Sequence, residues 1–140
     1  MEDRQMKEIT ICVDFDGTIV DHAFPEIGEP VPGALDWLSL FQEKGAKLIL
    51  WTMRSDHQKY GNVLTQAMNY LRKNGIKIYA INMNPTQHTW TDSPKAYADI
   101  YIDDAAIGCP LIQVEGFNRL CVDWEKVGAS IIGKLAQYSE

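Results

Sequence analysis

The sequence lacks the features that define several protein classes. No apolar run is long enough to cross a bilayer, and residues 1–8 are charged, so neither a membrane span nor a secretory signal is expected. The three cysteines are odd in number and show no metal-type spacing, which is typical of a reduced, cytoplasmic protein. Only 13 basic residues oppose 19 acidic ones, and the net charge of −6 argues against a general nucleic-acid binder.

What is present is an alternation of strand-like and helix-like patterns. The 140 residues are expected to form a single domain, 1–140. The predicted strands cover residues 9–13, 47–51, 76–81 and 100–102, with a fifth near 119–122; the predicted helices cover 32–44, 56–73, a short helix opening at Ser93 and Pro94, and a last one over 124–135. This alternation predicts an α/β fold with a central parallel sheet covered on both faces. Ligands bind such sheets beyond the carboxyl ends of the strands.

The most informative segment is Asp14-Phe15-Asp16-Gly17-Thr18, which follows the first predicted strand. Gly17 lets the chain turn, so that Asp14 and Asp16 can both face the crevice beyond the strand. Two carboxylates this close repel each other unless a cation or a proton lies between them. The segment therefore predicts a metal site, and a nucleophile with an acid/base partner.

Other polar residues are predicted to reach the same edge of the sheet. Thr52 and Arg54 follow the second strand, Lys95 precedes the fourth, and Asp103 and Asp104 follow it. Four carboxylates, one hydroxyl and two cations in one place suit phosphoryl transfer. Mg²⁺ is the cation that best fits carboxylate ligands facing a phosphate.

In this order the motifs resemble those of the haloacid dehalogenase-like superfamily of phosphohydrolases. The matching segments are residues 14–18, residues 48–52, Lys95 and residues 100–104, and the resemblance spans about residues 9–108. It implies a Rossmann-like three-layer sandwich and a Mg²⁺-dependent phosphatase that acts through an aspartyl-phosphate.

The resemblance also implies a role for each matching residue. Asp14 resembles the nucleophile, and Asp16 resembles the general acid/base that also offers its backbone carbonyl to Mg²⁺. Thr52 and Lys95 resemble the clamp that holds the phosphate.

The acidic pair and two further residues leave alternatives open. Asp104 aligns better with a metal ligand, and Asp103 would then orient a metal-bound water or pair with Lys95, although the reverse assignment stays open. Arg54 would bind the phosphate or the leaving group of the substrate, or pair with a carboxylate such as Asp56. His22 lies in the segment after the first motif, where it could touch a substrate.

The segments in which this family inserts caps are short here, namely residues 19–31 and 82–92. The chain therefore resembles a capless member, which would accept large substrates or borrow a lid from a neighbouring subunit in a homo-oligomer. Thr52-Met53-Arg54 also resembles the phosphatase part of polynucleotide kinases, but Ala105 stands where an arginine is common there. A polynucleotide 3′-phosphatase is thus an alternative that is not favoured.

Two non-enzymatic alternatives also remain. One is a phospho-acceptor of the response-regulator type, although Lys95 precedes the acidic pair and that order argues against it. The other is a binding module that keeps the fold without catalysis. The substrate itself, beyond being phosphorylated, is not predicted.

Overall fold

The computed structural model describes residues 6–7 and 9–138, with side chains as far as residue 135. The prediction that residues 1–8 form no secretory signal concerns a segment that lies mostly outside the described residues. The elements in chain order are β1 (Thr10–Val13), α1 (Ala34–Glu43), β2 (Lys47–Leu50), α2 (Val63–Lys73), β3 (Ala80–Ile81), a 3₁₀ turn (Gln87–Thr89), β4 (Ile100–Ile102), β5 (Leu111–Ile112), β6 (Cys121–Val122) and α3 (Trp124–Tyr138). In this part of the chain, no helix combines the length and apolar character needed to cross a membrane.

The central sheet has the strand order β3-β2-β1-β4, and every pairing in it is parallel. The predicted α/β fold with a parallel sheet is therefore confirmed. Val13 at the end of β1 lies beside Leu50 of β2 and Ile102 of β4. Because these three strands end level, the residues that follow them emerge at one edge of the sheet.

The two faces of the sheet are covered unequally. Ile11 and Val13 of β1 belong to the main core, to which all three helices contribute buried side chains. Cys12 points to the other face and packs with Ala96 and Ala98 of the connection between β3 and β4. Parallel strands are joined by right-handed crossovers, so the direction of a connection across the sheet decides which face it covers. The β1–β2 and β2–β3 connections run in one direction, whereas the β3–β4 connection runs back and therefore covers the opposite face. Among the described residues, the second face is covered by irregular chain and a 3₁₀ turn rather than by an α-helix.

The predicted start of α2 at residue 56 is wrong, because the helix begins at Val63. The Asp56 carboxylate accepts the backbone N–H groups of Leu64 and Thr65 at 2.9 and 3.0 Å, so it caps the helix from seven residues upstream. These bonds, with the Thr65 hydroxyl first among them, lower the pKa of Asp56. The apolar pattern that predicted a helix from residue 56 therefore also includes the turn that brings Asp56 back to the N-terminal end of α2.

The short helix predicted at Ser93 and Pro94 is also wrong. The Gln87 side chain donates to the carbonyls of Ser93 and Lys95 at 3.2 and 2.9 Å, and it accepts the N–H of Tyr97 at 2.7 Å. Backbone groups that would bond within a helix are therefore bound by one buried amide.

The remaining differences concern the third and fifth strands. The N–H of Ile76 closes the end of α2 and that of Lys77 donates to the Gln42 side chain, so β3 is shorter than predicted. The fifth predicted strand appears as β6, which pairs antiparallel with β5 in a separate two-stranded sheet.

Candidate active site

Three carboxylates meet beyond the ends of β1 and β4. One side-chain oxygen from each of Asp14, Asp103 and Asp104 lies within 4.8 Å of the others. The Thr18 hydroxyl donates to Asp14 at 3.0 Å and accepts the N–H of Asp104 at 3.2 Å, so it joins the two strand ends. The turn at Gly17, with φ of 85°, places Thr18 for both bonds.

Burial has the largest effect on the pKa of Asp14. Burial, the hydrogen bond with Asp104 and the charge of Asp103 raise the pKa of Asp14 to about 8, against the opposing effect of the Thr18 hydroxyl. An aspartate in such surroundings holds a proton at neutral pH unless a cation neutralises its neighbours. The donor set consists of oxygen atoms alone, which suits a hard divalent cation.

The two acids after β4 have different partners. Asp104 lies 3.3 Å from the Nε2 atom of His22, whereas Asp103 accepts the N–H of Ala105 at 2.9 Å. Both reach the cluster with Asp14, so each offers a carboxylate oxygen to a cation there.

Thr52 lies beside this cluster in a cleft of about 260 Å³ that Asp14, Asp103 and Asn82 also line. Its hydroxyl accepts the N–H of Arg54 at 3.0 Å, as in a tight turn at the end of β2. The predicted proximity of Thr52 and Asp14 is therefore seen.

Asn82 is a positioning residue that sequence reasoning missed. Its side-chain oxygen accepts the Thr52 N–H at 2.8 Å and its amide donates to the Thr52 carbonyl at 2.9 Å. Asn82 itself has a φ of 56°, a conformation that asparagine tolerates better than most residues. The detectable signal was an asparagine directly after a strand that adjoins the threonine strand.

Arg54 is buried, with 3% of its surface exposed, and all five of its N–H donors are used. Two donate to the Asp16 carboxylate, each at 2.8 Å. The other three donate to the carbonyls of Pro25, Glu26 and Val63 at 3.3, 2.8 and 3.0 Å. Of the two predicted roles, the structure displays the carboxylate pair, but with Asp16, since Asp56 instead caps α2. A substrate would have to displace one of the Arg54 bonds.

The bidentate pair fixes the direction of Asp16. The guanidinium also packs between the rings of Phe15 and Phe24, each centroid 5.1 Å from its central carbon. Each carboxylate oxygen has two acceptor sites, so the Arg54 bonds leave one site on each oxygen of Asp16 at which a proton can be carried.

The predicted lysine clamp is not assembled in this conformation. The Nζ atom of Lys95 lies over the ring of Tyr101, 5.3 Å from its centroid. Within residues 6–7 and 9–138, no ion pair joins Lys95 to Asp14 or to the acidic pair. The Gln87 side-chain amide donates to the Lys95 carbonyl, and this bond fixes the backbone from which the Lys95 side chain extends.

His22 is the histidine that reaches the site. Its Nε2 atom contacts Asp104 and also lies 3.3 Å from the carbonyl oxygen of Leu120. A Cβ atom on Gly17 would come within 2.3 Å of this ring, so the close approach requires glycine at that position. His57 and His88 are exposed.

The fold and site together define a parallel α/β protein with a carboxylate cluster at the carboxyl edge of its sheet. A search of protein-family models and of curated proteins found no match. A solved structure of a conserved protein coded by a locus of Bacteroides thetaiotaomicron is 37% identical, covers 90% of this chain and 91% of that chain, and superposes with a TM-score of 0.69. The chain belongs to the same family as that conserved protein.

Proposed function

We propose that the protein is a Mg²⁺-dependent phosphomonoester hydrolase of the haloacid dehalogenase-like superfamily, acting through an aspartyl-phosphate on Asp14. The observation that carries the proposal is the position of Asp14. It is half-buried, it shares a carboxylate cluster with Asp103 and Asp104, and it lines a cleft with Thr52. The residues that we propose as nucleophile, cation ligands and phosphate-binding hydroxyl thus adjoin each other.

The residues present fit a divalent cation. Asp14, Asp104 and Asp103 would hold it through their side chains, and the family resemblance adds the backbone carbonyl of Asp16. When bound, Mg²⁺ would neutralise the charge that otherwise keeps a phosphate dianion away from Asp14.

The reaction has two steps at phosphorus. A carboxylate oxygen of Asp14 forms a bond to phosphorus as the bond to the leaving oxygen breaks. Asp16 enters this step carrying a proton at an oxygen site that Arg54 does not occupy, and it gives that proton to the leaving oxygen. A water then transfers a proton to Asp16 and attacks phosphorus, which releases inorganic phosphate and restores Asp14. Thr52 and the backbone N–H groups of the turn after it would bind phosphoryl oxygens.

Arg54 contributes by orienting Asp16 rather than by binding phosphate, since its donors are occupied. Lys95 remains a predicted phosphate ligand that would have to leave the ring of Tyr101 to act.

The test is hydrolysis of an aryl phosphate with Mg²⁺, repeated with EDTA and with Asp14→Asn. We expect both changes to abolish turnover, while Asp92→Asn, an exposed aspartate in the loop before Lys95, retains it. Turnover by Asp14→Asn at the wild-type rate would contradict the proposal. A long-lived phosphoprotein without turnover would favour the phospho-acceptor alternative instead.

A further inference from the structure

A second cleft lies on the other side of the first motif. Its volume is about 290 Å³, and its lining residues are Asp16, His22, Ala23, Phe24, Asn118 and Arg119. Asp14 and Thr52 line the first cleft and Asp16 lines this one. If the proposed function holds, the transferred phosphoryl group lies in the first cleft. The leaving group that Asp16 protonates then extends into the second.

Hydrogen bonds hold the two walls of this cleft together. The N–H of Asn118 donates to the buried carboxylate of Asp21 at 2.8 Å, and its side-chain amide donates to the carbonyl of His22 at 2.7 Å. His22 in turn contacts the carbonyl of Leu120. The backbone on both sides of Arg119 is therefore fastened to residues 21–22, so Arg119 projects from a fixed position.

Arg119 is the cation of this cleft whose charge is not already paired. Its side chain is exposed, and no hydrogen bond or ion pair of its guanidinium is found within the described part of the chain. The charge of Asp16 is paired with Arg54, so Arg119 is not needed to neutralise it. A guanidinium with unused donors is suited to bidentate binding of a carboxylate or a phosphate.

We propose that Arg119 binds an anionic group on the leaving group. The substrate is then a phosphomonoester of a small alcohol that carries a second anion, either a carboxylate or a phosphate. A cleft of about 290 Å³ is at the lower end for small-molecule sites, which fits a short acid or a small sugar phosphate. This inference rests on the proposed function for its orientation of the substrate.

The test compares two esters matched in size, one anionic and one neutral at the far end, with a third that carries a second phosphate. Phosphoglycolate and 2-hydroxyethyl phosphate differ in a carboxylate against a hydroxymethyl group, and ethane-1,2-diol bisphosphate supplies a second phosphate. We expect wild-type kcat/KM to favour at least one of the two anionic esters by about tenfold or more. In Arg119→Gln this preference should fall to less than about threefold. Arg72→Gln, a change at an exposed arginine of α2, should keep it.

Equal kcat/KM values for charged and neutral esters in the wild type would overturn the inference while leaving the phosphatase intact. An equal loss on all esters in Arg119→Gln would also overturn it, because Arg119 would then act on the shared phosphoryl group or on the fold. If none of the three esters is hydrolysed while the aryl phosphate is, the inference is overturned and the proposed function stands; if the aryl phosphate is not hydrolysed either, the proposed function fails.

Calorimetric binding decides the inference without turnover. In the presence of Mg²⁺, the Asp14→Asn protein should bind an anionic ester more tightly than the neutral ester. Loss of this difference in the double variant Asp14→Asn/Arg119→Gln would support the inference. Equal dissociation constants for the charged and neutral esters refute it.

Discussion

Replacing Asp14 by asparagine should stabilise the metal-free protein at alkaline pH. Burial and two neighbouring carboxylates raise the pKa of Asp14 from 3.8 to about 8. The folded state therefore holds a proton that the unfolded state has lost throughout this interval. The free energy of unfolding of the wild type should fall as pH rises from about 4 to about 8 and then level off.

The magnitude follows from the size of the shift. About four pKa units at ~1.36 kcal/mol each set an upper limit of about 6 kcal/mol at pH 8 and above. Water entry and side-chain movement relieve part of such a penalty, so we expect Asp14→Asn to gain about 2 kcal/mol or more at pH 8. At pH 4 the two proteins should be nearly equal, because Asp14 is protonated in the folded state.

The assay is urea unfolding in EDTA at several pH values for the wild type, Asp14→Asn and Asp92→Asn. Adding Mg²⁺ at pH 8 should then raise the stability of the wild type more than that of Asp14→Asn, because binding to the folded state stabilises it. Parallel pH profiles for the wild type and Asp14→Asn would refute the argument that Asp14 is held in a cluster that needs a cation.

Four further substitutions test how the site is built. Arg54→Met should lower the free energy of unfolding by about 3–5 kcal/mol, because it leaves a carboxylate and three carbonyls unpaired. The control Arg72→Met should lower it by less than about 1 kcal/mol. Equal losses for the two variants in denaturant unfolding would contradict the hydrogen bonds assigned to Arg54. Arg54→Lys should slow hydrolysis of alkyl phosphates more than of aryl phosphates, because only poor leaving groups depend on Asp16 as the acid; an equal reduction would reject the orienting role. Asn82→Gly keeps the positive φ but removes the two bonds to Thr52, so kcat for an aryl phosphate should fall about tenfold; an unchanged kcat would show that the pair does not position Thr52. Gly17→Ala should lower the melting temperature and the activity, because its Cβ would collide with the His22 ring; an alanine protein with wild-type melting and activity would contradict this packing.

The sequence predicted the parts of the fold that depend on local pattern. β1 ends directly before Asp14, β4 ends directly before Asp103, and both are short apolar runs followed by acids. The meeting of Asp14, Asp103 and Thr52 follows from parallel strands that end level, which is a general property of such sheets.

Side-chain bonds between distant segments were not predictable in the same way. Gln87 binds backbone groups around Lys95, and Asp56 caps a helix that begins seven residues later. The partners of Arg54 include carbonyls of residues 25, 26 and 63, which have no periodic relation to it. Such bonds depend on the folded geometry, so residue type and spacing alone give no signal for them.

The five bonds of Arg54 tie Asp16 to residues of two other segments. Pro25 and Glu26, which follow the first motif, share the guanidinium with Asp16. Any displacement of residues 25–26 away from Arg54 would therefore break part of the network that orients the Asp16 carboxylate. In the enzyme we propose, such a displacement would impair proton transfer by Asp16 before it affected Asp14, which is held by Thr18.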